Sequence, residues 1–218
     1  MAGQAGRPRA SGGSPTGRGT RADVLAAAAG LFCTRGYASA STHAIAEAAG
    51  IRQASLYHHF ARKQDVLLAL LLDTVQPSLD VAAQLLASDE DPAARLWALC
   101  VSDVRLLAGG PFNVGALYLL PEVSAEGFRP FLDRRDDLET AYRTLVAACG
   151  VPPARTWGDT QLVLALVENV ILQRKRGATP TDIDAAGIAS AALRVLDLSP
   201  SARAVAATRG PALLETLA

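Results

Sequence analysis

The sequence comprises 218 residues, of which half are apolar and 5% are aromatic, and its formal net charge is zero. This length is ample for a buried core, and the abundance of Ala and Leu favours an all-α fold. The three cysteines, odd in number and without a C-x-x-C pair, argue against a disulfide framework and indicate packing roles in a reduced compartment.

The charge is unevenly distributed along the chain. Residues 1–75 hold eight Lys and Arg against four Asp and Glu, whereas residues 76–218 hold thirteen against seventeen. A basic N-terminal part followed by an acidic C-terminal part is expected when only the N-terminal part contacts the phosphates of a nucleic acid. No stretch of about 18 apolar residues appears, and the N-terminus lacks a signal-peptide core. We therefore expect a cytoplasmic protein with no membrane partner.

Residues 1–19 consist largely of Gly, Ser, Pro and Arg, and predict a disordered basic arm because they have too few apolar side chains to fold. Arg18 and Arg21 lie close enough to the first helix to reach phosphates. Arg7 and Arg9 could do the same or could belong to a solubilising tail.

A first helix is predicted over residues 20–35, with an apolar stripe that includes Val24, Ala28 and Phe32, and it ends at Gly36. Cys33 lies at the edge of this stripe. Ser41 or Thr42 can cap a second helix, and either hydroxyl could also bind a phosphate.

A helix-turn-helix is predicted over about residues 42–61. Gly50 can form the corner between two short helices, the second of which begins near Gln53. On that helix Gln53, Ala54, Tyr57 and His58 share one face, whereas Leu56 and Phe60 lie on the opposite, apolar one. This arrangement is typical of a DNA-binding helix-turn-helix, whose second helix enters the major groove.

A fourth helix is predicted from about residue 62 or 63 to residue 75, with Lys63 at its N-terminus as a phosphate clamp. Breaks at Gly and Pro divide the remaining chain into further helices. These are predicted at 78–88, 92–108, 114–120, 127–149, 157–174 and 181–197, with one small helix at 201–208. In the helix at 127–149, Arg135 and Glu139 with the neighbouring Asp136 and Asp137 indicate a solvated face.

Residues 20–70 resemble the DNA-binding domain of the TetR (tetracycline-repressor) family. The matching stretches are Leu31-Phe32, Gly36-Tyr37, IAEAAG at 45–50, LYHHF at 56–60, and Lys63 five residues before Leu68. The resemblance implies a DNA-binding domain at 20–75 and an effector-binding and dimerisation domain at 76–198. The sequence after Leu198 is short and mixed and predicts a C-terminal tail at 199–218.

The resemblance implies base reading by the start of the third helix and phosphate contacts by Tyr57 and Lys63. Gln can bind adenine, and the methyl group of Ala can touch thymine. The chain departs from the family pattern at Arg52 and Arg62, which replace capping Ser residues and add charge; Arg52 could bind a phosphate or read a guanine. The candidate DNA-contacting residues are Ser41, Thr42, His43, Arg52, Gln53, Ala54, Ser55, Tyr57, His58 and Lys63.

The second part of the chain offers candidates for an effector pocket and for a dimer interface. Its aromatic residues could line a pocket for an apolar ligand, with a few polar anchors, or could simply form core. The candidate effector residues are Trp97, Arg105, Phe112, Asn113, Tyr118, Phe128, Phe131, Tyr142 and Gln161. Stripes on the last two long helices could pair across a two-fold axis or lie in the core. The candidate dimer residues are Leu162, Leu166, Val170, Gln173, Ile188, Ala192 and Val195.

No nucleotide-binding, nucleophile or zinc-protease motif occurs, so we expect neither catalysis nor a cofactor. The adjacent His58 and His59 diverge by roughly 100° on a helix, which argues against a metal site. We expect a homodimeric regulator that binds a pseudo-palindromic operator on double-stranded DNA and is released by a small apolar effector. The alternatives are a ligand-independent regulator or activator acting through a protein partner, and an enzyme that has kept a DNA-binding head.

Overall fold

The computed structural model describes residues 14–217. Within this range the regular structure is entirely helical, which confirms the all-α fold. The α-helices are α1 (Thr20–Arg35), α2 (Thr42–Ala48), α3 (Gln53–His59), α4 (Lys63–Leu72), α5 (Gln76–Ala87), α6 (Pro92–Ala108), α7 (Arg129–Ala148), α8 (Pro153–Lys175), α9 (Ala185–Val195) and α10 (Pro200–Leu217). Short 3-10 helices lie at Val114–Leu119, Pro121–Ser124, Glu126–Phe128 and Pro180–Asp182.

The chain divides into two compact units between Leu71 and Leu72. In the first unit, α1 and α3 both contact α2. The apolar side chains of these helices form a small core, because Val24, Phe32, Ile45 and Leu56 are all almost fully buried. This core fixes the angle at which α3 is presented.

The second unit is built around α6, which contacts α5, α7, α8, α9 and α10. Its sequence is apolar on nearly every side, as expected for a helix surrounded by others. Asp103 is its one buried carboxylate. The 3-10 segment Val114–Leu119 contacts α8 and closes one side of the unit.

Several helix boundaries differ from the sequence prediction. The helix predicted at 114–120 is the 3-10 helix Val114–Leu119, and α7 begins at Arg129 after a separate 3-10 turn. α8 begins at Pro153 rather than at residue 157, because proline fits the first turn of a helix, where its missing N–H would be unpaired anyway. α9 begins only at Ala185, where the Asp184 side chain accepts a hydrogen bond from the Gly187 N–H (2.8 Å).

The C-terminal stretch is not the mixed tail with a small helix at 201–208 that the sequence predicts. It forms the long helix α10, which packs on α6 and continues through Pro211. Gly210 makes this contact possible: an added Cβ would lie 2.2 Å from Cε3 of Trp97.

Residues 14–19 are not part of a structureless arm, because they form turns that fold onto the start of α1. The buried carboxylate of Asp23 accepts hydrogen bonds from the Ser14 hydroxyl (2.8 Å) and from the N–H (2.9 Å) and hydroxyl (2.6 Å) of Thr16. The rest of the predicted arm, including Arg7 and Arg9, lies outside the described residues.

One described segment, Lys63–Ala87, is long and apolar enough by composition to cross a membrane, with a mean hydropathy of 1.5, which corrects the expectation that no such stretch exists. In the fold it is divided into α4 and α5 by a turn at residues 73–75, and 44% of its most apolar window is buried. Because buried core helices meet the same criterion, the segment gives little support to a membrane span.

Candidate DNA-binding face and effector cleft

The corner between α2 and α3 has the backbone that the sequence predicts. The side chain of Ser41 accepts a hydrogen bond from the Ala44 N–H (3.1 Å) and caps α2. Gly50 has φ +67°, a left-handed conformation that favours glycine. Its N–H donates to Glu47 O (3.0 Å), and the next N–H, of Ile51, donates to Ala46 O (3.0 Å). The carbonyls at the end of α2 are thereby satisfied.

A small hydroxyl and amide cluster joins α2 to α3. The Thr42 Oγ1 accepts a hydrogen bond from Gln53 Nε2 (3.1 Å) and lies 3.1 Å from the Tyr57 hydroxyl. The ring of Tyr57 is 49% exposed. Three groups able to bind a phosphate or a base edge are therefore held together at the surface.

The remaining candidates on α3 are presented to solvent or nearly so. Ala54 and His58 are exposed, and Ser55 is half-buried. Arg52 occupies the N-cap position without a side-chain cap, and its side chain is exposed. His43, on α2, is exposed as well. These residues form a polar surface at the start of α3, and their contacts with DNA stay a prediction.

Lys63 has a role within the domain that the sequence did not reveal. Its ammonium donates hydrogen bonds to Tyr37 O (2.8 Å) and Ala40 O (2.9 Å), and lies 3.4 Å from Ala38 O. It also lies 4.3 Å from the centre of the Tyr37 ring. Lys63 therefore fixes the connection between α1 and α2, which ends at the cap of α2.

Other basic side chains of this unit are also engaged. Arg62 forms an exposed ion pair with Asp65 (2.9 Å), whose carboxylate accepts a hydrogen bond from the Arg62 N–H. The guanidinium of Arg21 lies 5.4 Å from the centre of the Phe60 ring, whereas Arg18 is exposed. Among residues 14–217 no group of three metal-ligating side chains occurs, near His58 and His59 or elsewhere.

The second unit contains an apolar cleft of about 580 Å³ between α7, α8 and the 3-10 segment. Two of the nine candidate effector residues, Tyr118 and Phe131, line it. Its other walls are formed largely by aliphatic side chains that the sequence analysis did not single out. They are Leu119, Val123, Leu132, Leu138, Leu164, Ile171 and Leu172.

The other seven effector candidates do not line the cleft. Phe128 and Tyr142 are fully buried in the core, and Trp97 packs against α10 while its indole N–H donates to the Ser190 hydroxyl (3.3 Å). Arg105 is exposed, and Phe112 and Gln161 are half-buried elsewhere. Asn113 is structural: its amide donates to Ile171 O (2.9 Å) and ties the 3-10 segment to α8.

Beside the cleft lies a chamber of about 20 Å³, and the two share the lining residues Tyr118, Arg135, Leu138, Leu164 and Glu168. Arg135 pairs with Glu168 (2.5 Å) and lies over the Tyr118 ring. The sequence predicts that Arg135 belongs to a solvated face, and for this residue the prediction is wrong. Spacing within α7 could not show the partner on α8.

Asp103 lines the inner wall of this chamber and is 4% exposed. One of its carboxylate oxygens, Oδ2, accepts a hydrogen bond from the Tyr142 hydroxyl (2.8 Å). Burial raises the pKa of Asp103 to about 6, against the lowering effects of Ser78, Tyr142 and Arg135. The one carboxylate of the largely apolar α6 is the signal that could have identified this site from the sequence.

The candidate dimer residues fall into two groups. Leu162 and Val195 are 53% and 37% exposed, and Leu166, Gln173 and Ile188 are half-buried. Val170 and Ala192 are fully buried within one chain, so these two belong to the core and cannot contact a second copy. Both residues lie next to the exposed stripe of their helix but on the side that faces the core.

The comparisons with known proteins agree with this geometry. A family model described as "Bacterial regulatory proteins, tetR family" matches residues 24–70. The HTH-type transcriptional repressor KstR2 of Rhodococcus jostii (strain RHA1) is 37% identical over 89 residues, which are 41% of this chain and 44% of the relative. The match thus spans less than half the length of this curated relative.

Solved structures extend the likeness over both units. FadR of Bacillus subtilis in complex with stearoyl-CoA is 15% identical with a TM-score of 0.65, covering 80% of this chain and 96% of that one, which shows the fold alone. AmtR of Mycobacterium smegmatis is 44% identical with a TM-score of 0.78, over 88% of this chain and 95% of that one. Because this identity extends over both units and the family model matches the helix-turn-helix, the chain belongs to the TetR family of bacterial regulatory proteins.

Proposed function

We propose that the protein is a transcriptional regulator, a repressor that binds a pseudo-palindromic operator and is released by a small, mostly apolar effector. The observation that carries the proposal is the polar face of α3, where Thr42, Gln53 and Tyr57 converge beside the exposed Arg52. Family membership supports it, since the curated relative KstR2 is a transcriptional repressor. Such a regulator acts on DNA in the cytoplasm.

The proposed mechanism needs two copies of the chain. A dimer through the exposed stripes of α8 and α9 would present two α3 helices to successive major grooves, about 34–36 Å apart on the operator. The acidic second unit, with thirteen Lys and Arg against seventeen Asp and Glu after residue 75, would contribute little to phosphate binding.

The cleft of the second unit supports regulation by a ligand. It is apolar, large enough for a small molecule and bordered by a few polar groups, as ligand sites usually are. An effector that binds the DNA-free state more tightly must lower DNA affinity by the same factor. In this model of regulation the ligand shifts an existing equilibrium between two states.

The test is a binding assay on DNA from upstream of its own gene, at two salt concentrations and with a panel of apolar compounds. Specific, salt-sensitive binding that one compound abolishes is the expected result. Specific binding that no compound disturbs would favour the ligand-independent regulator. If the protein bound this upstream DNA no more tightly than random DNA, the proposal that this region contains its operator would be contradicted.

A further inference from the structure

We propose that the effector cleft takes an apolar primary ammonium ion, whose head enters the chamber beside Asp103 and Glu168 while its hydrocarbon part fills the apolar cleft. This inference rests on the proposed effector role of the cleft and adds the chemical class of the ligand. It is carried by an unpaired carboxylate oxygen of Asp103, by the local charge and by the size of the chamber.

One buried carboxylate oxygen at the chamber, Asp103 Oδ1, accepts no hydrogen bond from the described part of the chain. The Glu168 carboxylate, by contrast, is paired with the Arg135 guanidinium at 2.5 Å. Leaving the Asp103 oxygen buried and unpaired is costly, because its hydration is lost without replacement. A ligand that donates hydrogen bonds here would recover that loss.

The charge of the chamber favours a cation. Asp103 and Glu168 face a single cation, Arg135, which leaves one negative charge without a partner when both carboxyls are ionised. Asp136 and Glu139 line the adjoining cleft and add further negative charge. A carboxylate or phosphate head would meet repulsion in both places, whereas a monocation would neutralise the chamber.

The size of the chamber selects the head group. Its volume of about 20 Å³ suits one water-sized group. A primary ammonium is of that size and has three donors. A trimethylammonium has the same charge but is much larger and has no N–H donor, so it would not enter. The aliphatic walls Leu132, Leu164 and Leu172 would contact the hydrocarbon part.

The experiment measures binding to the full-length protein by isothermal titration calorimetry with four probes of equal chain length: octylamine, octanol, octyltrimethylammonium and octanoate. We expect saturable binding of octylamine and binding about tenfold or more weaker for octyltrimethylammonium, which has no N–H donor and is too large for the chamber, and for octanoate, whose charge is repelled by the carboxylates. Octanoate binding as tight as octylamine would overturn the proposal. This comparison needs no variant.

A variant pair then locates the head group. Asp103→Asn should weaken octylamine binding about tenfold or more and leave octanol nearly unchanged, because only the charged donor depends on the carboxylate. Asp137→Asn removes an exposed carboxylate on α7 that does not line the cleft, and should leave all four affinities unchanged. Equal octylamine affinity in wild type and Asp103→Asn would overturn the assignment.

The assay contains no DNA, so its outcome is separable from that of the proposed regulation. Octylamine binding without DNA release would leave the ligand class standing and contradict the release mechanism. DNA release by a carboxylate or a coenzyme A ester, with no octylamine binding, would support the release mechanism and contradict the proposed ligand class.

Discussion

The ammonium of Lys63 lies among the backbone carbonyls of residues 37–40, at 2.8 Å from Tyr37 O and 2.9 Å from Ala40 O. Removing the ammonium takes a charged donor away from these carbonyls, so we expect Lys63→Met to lower the free energy of unfolding by about 1–3 kcal/mol. The matched control is Arg62→Met, which removes only an exposed ion pair and should lower the free energy of unfolding much less. Denaturant unfolding followed by circular dichroism measures both, and equal losses would contradict a structural role for Lys63.

The start of α3 allows base readout and backbone contact to be separated. Gln53 is positioned by Thr42, and its amide suits adenine. We expect Gln53→Ala to weaken operator binding by about 1–3 kcal/mol and to leave random DNA unaffected. Tyr57→Phe, which removes only the hydroxyl beside Thr42, should weaken both DNAs alike, because a phosphate contact carries no sequence information. Fluorescence anisotropy measures the affinity of each variant for operator DNA and for random DNA. If Gln53→Ala weakened binding to both DNAs equally, Gln53 would not recognise a base.

Asp103 makes stability depend on pH. Burial raises its pKa from 3.8 to about 6 in the folded chain, so the folded state holds this proton more tightly than the unfolded state does. Its contribution is fully present below the unfolded pKa and is lost as pH rises through about 6. We expect the unfolding free energy of wild type to fall relative to Asp103→Asn, by roughly 2 kcal/mol between pH about 4 and pH about 7.

Chemical unfolding of both proteins across this pH range tests the assignment. The comparison with Asp103→Asn cancels the other titrating groups, which the two proteins share. A constant difference between the two curves would show that the pKa of Asp103 is not raised on folding.

At the scale of elements, α10 depends on a single missing Cβ. At Gly210 a Cβ would lie 2.2 Å from Cε3 of Trp97, a rigid buried ring. We therefore expect Gly210→Ala to destabilise the second unit by about 1–3 kcal/mol through overpacking, although alanine is the better helix former. Gly158 in α8 is the control, because a Cβ there meets nothing within 4 Å. Gly158→Ala should stabilise by about 0.5–1 kcal/mol, and thermal unfolding would contradict the packing argument if both variants shifted the same way.

The same contact explains where prediction from sequence succeeds and fails for elements. The periodicity of α1 and the corner at Gly50 are local signals, and both are found in the fold. The sequence predicts only a small helix at 201–208 in the tail, yet α10 extends from Pro200 to Leu217 and packs on α6. The sequence predicts a helix from residue 157, yet α8 begins at Pro153, because a proline can begin a helix. Only tertiary contacts could decide these cases.

The candidate sites show the same limit. The composition of the second unit predicts aromatic and apolar lining, and Tyr118 and Phe131 do line the cleft. Trp97, Phe128 and Tyr142 have the same chemistry but lie in the core. Asp103 and Glu168 are brought together from α6 and α8, which are distant in sequence, so no spacing within one helix could reveal their chamber.

At the scale of the whole molecule, operator binding should depend on association of two chains. Leu162 on α8 and Val195 on α9 are 53% and 37% exposed, which leaves apolar area for a second copy to cover. We expect Leu162→Glu to place a charge in that interface and shift the protein toward monomer, as measured by sedimentation equilibrium. Leu86→Glu on α5, where the leucine is 38% exposed, is the matched control and should leave association unchanged.

DNA binding should follow association in these two variants. When two DNA-binding domains are joined in a dimer, the second domain binds its half-site at a high effective concentration, so a palindrome is bound far more tightly than a half-site. We expect Leu162→Glu to lose most of this difference and to bind palindrome and half-site with similar affinity. Leu86→Glu should keep the wild-type preference for the palindrome, since it should remain a dimer. A monomeric Leu162→Glu that still preferred the palindrome would contradict the dimeric mechanism, and a Leu162→Glu that stayed dimeric would place the interface on another face.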